Sequence, residues 1–327
     1  MLKVLRNIFI PTAALLLLLV LCIQPVHADS YLQITQSLIS EDSLVLNMST
    51  NLGSGNTATC YIVYMKTAKI NKKGSYEIGN YEKIQELPAG TTAITITGLS
   101  SANAYDVKVE VNYTTSTGKA ATYSKTLYDA GLIPGKVTGL TNKWNNYVEA
   151  IYGEWDRQCG ATGYEWQIYD AKNKLVKSGT NKSFNSYTNS MHKAKKKTFY
   201  KMRVRAYREW NGTTYYGEWS DFGYCIYPPE KIKASFKNKK MKVSWNKTYG
   251  ATSYTVMVST NLNSGYKAVK TVSANKTKAT VKKFGKGKFK KGKTYYVYIR
   301  SNKKIGNKTF YSSPDTVCGN YRSARCN

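Results

Sequence analysis

The residues best placed to do chemistry in this chain are lysines. His192-Lys193-Ala194-Lys195-Lys196-Lys197 is one basic run, and a second, KKFGKGKFKKGK, supplies Lys282, Lys283, Lys286, Lys288, Lys290, Lys291 and Lys293. Lysine is a compact point charge without the bidentate fork of arginine, so such runs suit loose capture of polyanions better than selective recognition. Gly285, Gly287 and Gly292 let lysines crowd at a turn and bring backbone N–H groups toward an anion. The spacing is not that of a phosphate-binding P-loop, which leaves nucleotide hydrolysis without support.

The side chains that most catalytic chemistry requires are scarce. His27 and His192 are the only histidines; His192 stands in a lysine field that disfavours its protonation, with no carboxylate beside it to orient a base. The Cys and His spacing of a zinc site is missing, and the scattered acids do not suggest the carboxylate pair of a glycosidase. The chain therefore reads as non-catalytic, with no cofactor and no metal.

Charge is unevenly distributed. The 49 Lys and Arg against 19 Asp and Glu make a net +30. Residues 29–133 hold 8 Lys against 9 acids, −1; residues 134–228 hold 15 cations against 8 acids, +7; residues 229–327 hold 24 against 2, +22. A field of one sign attracts polyanions in a salt-dependent way. The candidates are a cell-wall polymer, an acidic glycan or extracellular nucleic acid, bound nonspecifically because no nucleic-acid-reading motif accompanies the charge; a surface protein is the other class of partner. The alternative is a lysine-rich solubilising face. Residues 1–28 look like a cleaved signal peptide: Lys3 and Arg6, an apolar run from Ala13 to Ile23, then Val26-His27-Ala28. That run is shorter than the roughly 20 residues a spanning helix needs, so the mature chain is expected to be secreted, without a membrane span, and in the extracellular space or held at the cell surface.

The elements that position the lysines repeat. Tyr105, Tyr200 and Tyr295 are 95 residues apart, and each opens an alternating run: YDVKVEV, YKMRVRA and YYVYIRS. Alternation marks a strand with one buried face. Trp155 and Trp245 precede GATGYEWQIYD and GATSYTVMVST, in which Tyr164 and Tyr254 correspond. Pro134-Gly135 and Pro228-Pro229 fall between units, where proline stops strand pairing. These residues resemble tandem fibronectin type III domains of bacterial secreted proteins, which carry a tryptophan on the second strand, a Tyr-led third strand and a leucine six residues before a corner tyrosine. Leu99 with Tyr105 and Phe289 with Tyr295 fit that last feature, whereas Ala194 before Tyr200 departs from it and predicts an irregular corner. PGKVTGL from Pro134 resembles the first strand of such a domain. The resemblance implies an all-β fold of three tandem fibronectin type III (immunoglobulin-like) β-sandwiches: residues 29–133, divergent, residues 134–228, and residues 229–327, strongly basic.

Within the second unit Met202, Val204 and Ala206 face inward, leaving Arg203 and Arg205 outward beside Trp219, where guanidinium groups can stack on the indole. This resembles the Arg–Trp ladder of cytokine-receptor fibronectin domains. Trp210, at the Trp210-Asn211-Gly212 hairpin turn, could instead join Trp219 in an aromatic platform for a sugar or a protein. Trp166 follows the inward alternation of Tyr164 and Ile168. Of the cysteines, Cys60 is expected as a small buried hydrophobe, Cys159 and Cys225 are expected too far apart to pair, and Cys318 with Cys326 is the favoured disulfide. Taken together, the sequence predicts a non-catalytic binding or spacer protein whose basic third domain holds anionic polymers or partner proteins. The competing reading is an accessory module of an extracellular carbohydrate-active or cell-wall enzyme system.

Overall fold

Apolar side chains at every second position turn three strands into the central pillars of three sandwiches. Tyr105, Val107, Val109 and Val111 are buried in the first, Tyr200, Met202, Val204 and Ala206 in the second, and Tyr295, Val297 and Ile299 in the third. The computed structural model describes residues 30–71, 75–145, 150–181, 187–191, 195, 198–312 and 321–326; the signal-peptide reading, at 1–28, lies outside them.

The first unit comprises β1 (Tyr31–Ile39), β2 (Leu44–Asn51), β3 (Thr57–Ile70), β4 (Tyr76–Ile78), β5 (Glu82–Pro88), β6 (Ala93–Ile96), β7 (Ala104–Thr114) and β8 (Ala120–Ala130). The second comprises β9 (Thr141–Asn145), β10 (Ala150–Glu154), β11 (Gly163–Tyr169), β12 (Leu175–Asn181), β13 (Tyr187–Met191), β14 (Phe199–Trp210), β15 (Thr213–Tyr216) and β16 (Gly223–Ile226). The third comprises β17 (Lys233–Lys237), β18 (Lys240–Ser244), β19 (Ser253–Ser259), β20 (Lys267–Ser273), β21 (Lys278–Val281), β22 (Thr294–Ile305), β23 (Lys308–Tyr311) and β24 (Tyr321–Arg325). Each unit pairs a three-stranded sheet (β1-β2-β6, β9-β10-β13, β17-β18-β21) with a five-stranded one built on β3 and β7, β11 and β14, or β19 and β22. The architecture is all-β, three β-sandwiches in tandem. Among the described residues no helix is long and apolar enough to cross a membrane.

Three separate cores fill the sandwiches, drawn from residues 32–132, 137–227 and 232–326. Two tyrosine contacts recur. The hydroxyl of the corner tyrosine accepts the backbone N–H five residues upstream in every unit: Ser100 to Tyr105 at 2.8 Å, Lys195 to Tyr200 at 2.9 Å and Lys290 to Tyr295 at 3.0 Å. The second unit therefore forms the corner that its alanine argued against, because the bond uses a backbone donor and not the side chain at position 194. In the second and third units Trp155 meets Tyr164 edge-on at 5.4 Å and Trp245 meets Tyr254 at 5.5 Å. The hydroxyls of these tyrosines accept the N–H of Gln158 and of Thr248, both at 2.8 Å.

Two expectations fail for local reasons. PGKVTGL is not a strand; β9 begins at Thr141. Pro134 has no N–H to give, Gly139 turns the chain at φ 69°, and the segment instead lies against Gly217. Cys60 is half-buried on the outer face of β3, where Asn112 Nδ2 approaches its sulfur at 3.6 Å. A bulge between Ala58 and Cys60 shifts the alternation there.

Candidate functional site

Aromatic packing beneath the loop between β21 and β22 sets the shape of the second lysine run. Phe289 is buried, with its ring 4.9 Å from both Phe236 and Tyr295 and 6.3 Å from Phe284. With the phenylalanines turned inward, Lys282, Lys283, Lys286, Lys288, Lys290, Lys291 and Lys293 are all exposed. Several backbone amides that an anion cradle would use, those of Gly287 and Gly292 among them, are engaged internally. Phe284 and Gly287 donate to each other's carbonyls, Gly292 to Cys326 and Lys293 to Lys290, while Lys290 serves the tyrosine corner. What this turn chiefly offers an anion is its seven exposed ammonium groups. In the first run Lys195 is exposed, and Lys193, Lys196 and Lys197 lie outside the described residues.

Cations and rings alternate across the open face of the second sandwich. β14 directs Lys201, Arg203 and Arg205 outward, and the segment from Tyr216 to Phe222, which interrupts the last strand of the sheet, supplies the rings. Lys201 Nζ lies 4.1 Å from the Phe222 centroid, Arg203 Cζ 4.3 Å from Trp219, and Arg205 Cζ 4.6 Å from Trp219 and 3.9 Å from Tyr216. Side chains of β11 hold the guanidinium groups in plane: Gln167 Oε1 accepts from Nε and Nη2 of Arg203 at 3.0 and 2.7 Å, and Glu165 pairs with Arg205 at 2.6 Å. Ser220 fixes the ring-bearing segment, its Oγ accepting the Val204 N–H at 3.0 Å. The third unit keeps one rung at the same offset, with Arg300 4.1 Å from Tyr311. Lys201 and Phe222 were absent from the sequence reading. Lys201 shares the outward alternation of the arginines, which was the available signal; Phe222 had none, since its partner is fixed only by the break between β15 and β16.

Trp210 belongs elsewhere. Its indole lies against Gly131 of the first unit, where an added Cβ would stand 3.1 Å from it, so it is a junction residue and not part of an open platform. The same junction holds Arg208, 4% exposed, whose guanidinium donates to the carbonyls of Gly160 at 2.8 Å and Asp129 at 2.7 Å. Between the second and third units Tyr224 meets Phe310 at 4.6 Å, and Asp221 sits 2.9 Å from Lys136 and 3.6 Å from Lys308. The hydrogen bond from Lys136 holds the Asp221 carboxyl below its ordinary value. Lys303, over the Phe199 ring at 4.0 Å, is lowered by burial.

Cys159, Cys225 and Cys326 are buried free thiols; Cys318, the proposed partner of Cys326, lies outside the described residues. Burial pushes the Cys159 and Cys225 thiols up. Trp166 is 6% exposed and part of the second core.

The chain is similar in structure to the FN1–FN3 domains of chicken CNTN1, at 11% identity and a TM-score of 0.36 over 90% of this chain and 97% of that one. It is also similar to a segment of two fibronectin type III domains from chicken tenascin, at 12% identity and a TM-score of 0.30, over 60% of this chain and 98% of that one. No family model matches the chain, and no curated protein does.

Proposed function

We propose that this is an exported, non-catalytic binding and spacing protein, secreted or held at the cell surface, whose third domain retains anionic polymers. Tandem fibronectin type III sandwiches support the binding or spacer role at the coarse level. One observation carries the specific reading: the third domain has 24 Lys and Arg against 2 acids, and among its described residues the one lysine in an ion pair is Lys308, whose partner Asp221 belongs to the second domain. Every other described lysine of that domain except Lys303 is exposed, which is the condition for long-range attraction of a polyanion.

The ladder of the second domain supports the spacer half of this reading. Its cations are committed to rings, to Gln167 and to Glu165, so that face is closed by its own side chains instead of offering them to a ligand. Passing the whole chain over an immobilised polyanion tests the proposal. Retention at about 50 mM salt with release as salt rises is expected; passage without retention at that salt overturns it.

A further inference from the structure

The lysine run in the loop between β21 and β22 is conspicuous in sequence, but the fold assembles another basic group from lysines on separate strands. β17 reads KASFK, β18 KMKVS and β21 KATV. Ala234, Phe236, Met241, Val243, Ala279 and Val281 turn into the core. Lys233, Lys237, Lys240, Lys242 and Lys278 are consequently left on the outer face of this three-stranded sheet. The register groups them: Lys233 lies opposite Ser244, which lies opposite Lys278, and Ser235 lies opposite Lys242, which lies opposite Thr280. The equivalent strands of the first domain, YLQITQSLI, LVLNMSTN and AITI, contain no charged residue. The same face of the same fold is thus neutral at one end of the chain and cationic at the other.

A cleft of about 710 Å³ opens where this sheet meets β20. Lys233, Lys242, Lys270, Lys276 and Lys278 line it, and Lys270 Nζ reaches across to the Thr280 carbonyl at 3.0 Å, joining the two sheets at the cleft. The rest of the lining is Ala, Val, Ser and Thr. We infer that this cleft is the seat of the polyanion, and that the ligand is a polyol-phosphate chain; the inference rests on the polyanion reading above and gives it a place and a chemistry. Ammonium groups pair with phosphate as point charges. Hydroxyls of Ser235, Ser244 and Thr280 suit the alcohols of a polyol. No ring lines the cleft, and stacking on rings is what sugar rings and nucleobases use. The cleft lysines Lys233, Lys242, Lys270 and Lys278 are borne by four strands, whose pairing sets the spacing of their Cα atoms.

The test uses the whole chain with purified poly(glycerol phosphate), heparin and a single-stranded oligonucleotide as probes. Lys233→Ser/Lys242→Ser/Lys278→Ser is compared with the loop variant Lys286→Ser/Lys288→Ser/Lys291→Ser, which loses the same charge. The cleft variant is expected to weaken poly(glycerol phosphate) binding by about tenfold and the loop variant by less than about twofold. Amide shift perturbations in the wild-type chain, which depend on no variant folding, should fall at 233–244 and 270–280 and spare 284–293. Equal losses in the two variants, or perturbations centred on the loop, overturn the site while leaving the polyanion reading standing. Tighter binding of heparin or the oligonucleotide overturns the ligand class. No binding of any probe removes both.

Discussion

Arg208 of the second domain grips Asp129 of the first: its Nη2 donates to the Asp129 carbonyl at 2.7 Å and lies 3.0 Å from the carboxylate. The carboxylate is open to water, but Arg208 is buried and also holds the Gly160 carbonyl. Removing the guanidinium strands two carbonyls, at a cost of about 1–3 kcal/mol to the docked arrangement. Arg208→Ala should therefore broaden the distance distribution between spin labels placed in the first and second domains while each domain stays folded. An unchanged width would show that the junction is held by other contacts.

Trp219 sits between Arg203 and Arg205, and Trp219→Ala removes two cation–π contacts at once. The second domain should lose about 1–2 kcal/mol, seen as a lower urea midpoint. Trp219→Tyr should recover part of that loss. Trp210→Ala should instead loosen the first junction and leave the midpoint of the second domain nearly in place; if the two tryptophan variants behave alike, the ladder has no separate contribution.

Alkaline stability follows from Tyr164. The residue is 1% exposed, and burial pushes its phenol from 10.0 up to about 12. Between those values the unfolded chain has shed a proton that the folded chain keeps, so the stabilisation is complete below about pH 10 and is lost as pH rises toward about 12, by up to about 2–3 kcal/mol. Tyr164→Phe should be less stable near neutrality, where the Gln158 N–H loses its acceptor, and should show a shallower decline between about pH 10 and 12. Parallel declines for the two proteins would contradict this account.

The thiols should react in order of access. Cys60 is half-buried on an outer sheet face, whereas Cys159, Cys225 and Cys326 are buried. Thiolate is the reacting form, and burial opposes it at Cys159 and Cys225. In the native chain at about pH 8, a disulfide reagent should modify Cys60 first and the two raised thiols only as the protein opens. Modification of Cys225 as fast as Cys60 would mean that its strand is not closed.

Much of the fold was legible because it is written in adjacent residues. Alternation from Tyr105, Tyr200 and Tyr295 marks a buried face whatever the rest of the chain does, and the tryptophan and tyrosine repeats carry the period. What depends on distant pairing was not legible. Cys60 faces outward because of one extra residue in β3, and the Tyr200 corner forms through a backbone N–H that no side-chain pattern encodes. Trp210 is claimed by a neighbouring domain. The basic cleft was hidden for the same reason: its lysines are single residues on β17, β18, β20 and β21 and at the turn between β20 and β21, whereas the loop lysines form one run.

The central claim, that the third domain is the polyanion-binding end of the chain, is tested most directly by the salt dependence of binding. With poly(glycerol phosphate) titrated into the whole chain over a series of salt concentrations, log affinity should fall linearly with log salt, with a slope that reports several released counterions. Replacing Lys233, Lys242, Lys270, Lys276 and Lys278 by serine should flatten that slope, and replacing Lys172, Lys174, Lys177, Lys195 and Lys201 of the second domain should leave it nearly unchanged. Binding that ignores salt, or a slope lowered equally by both sets, would contradict the claim.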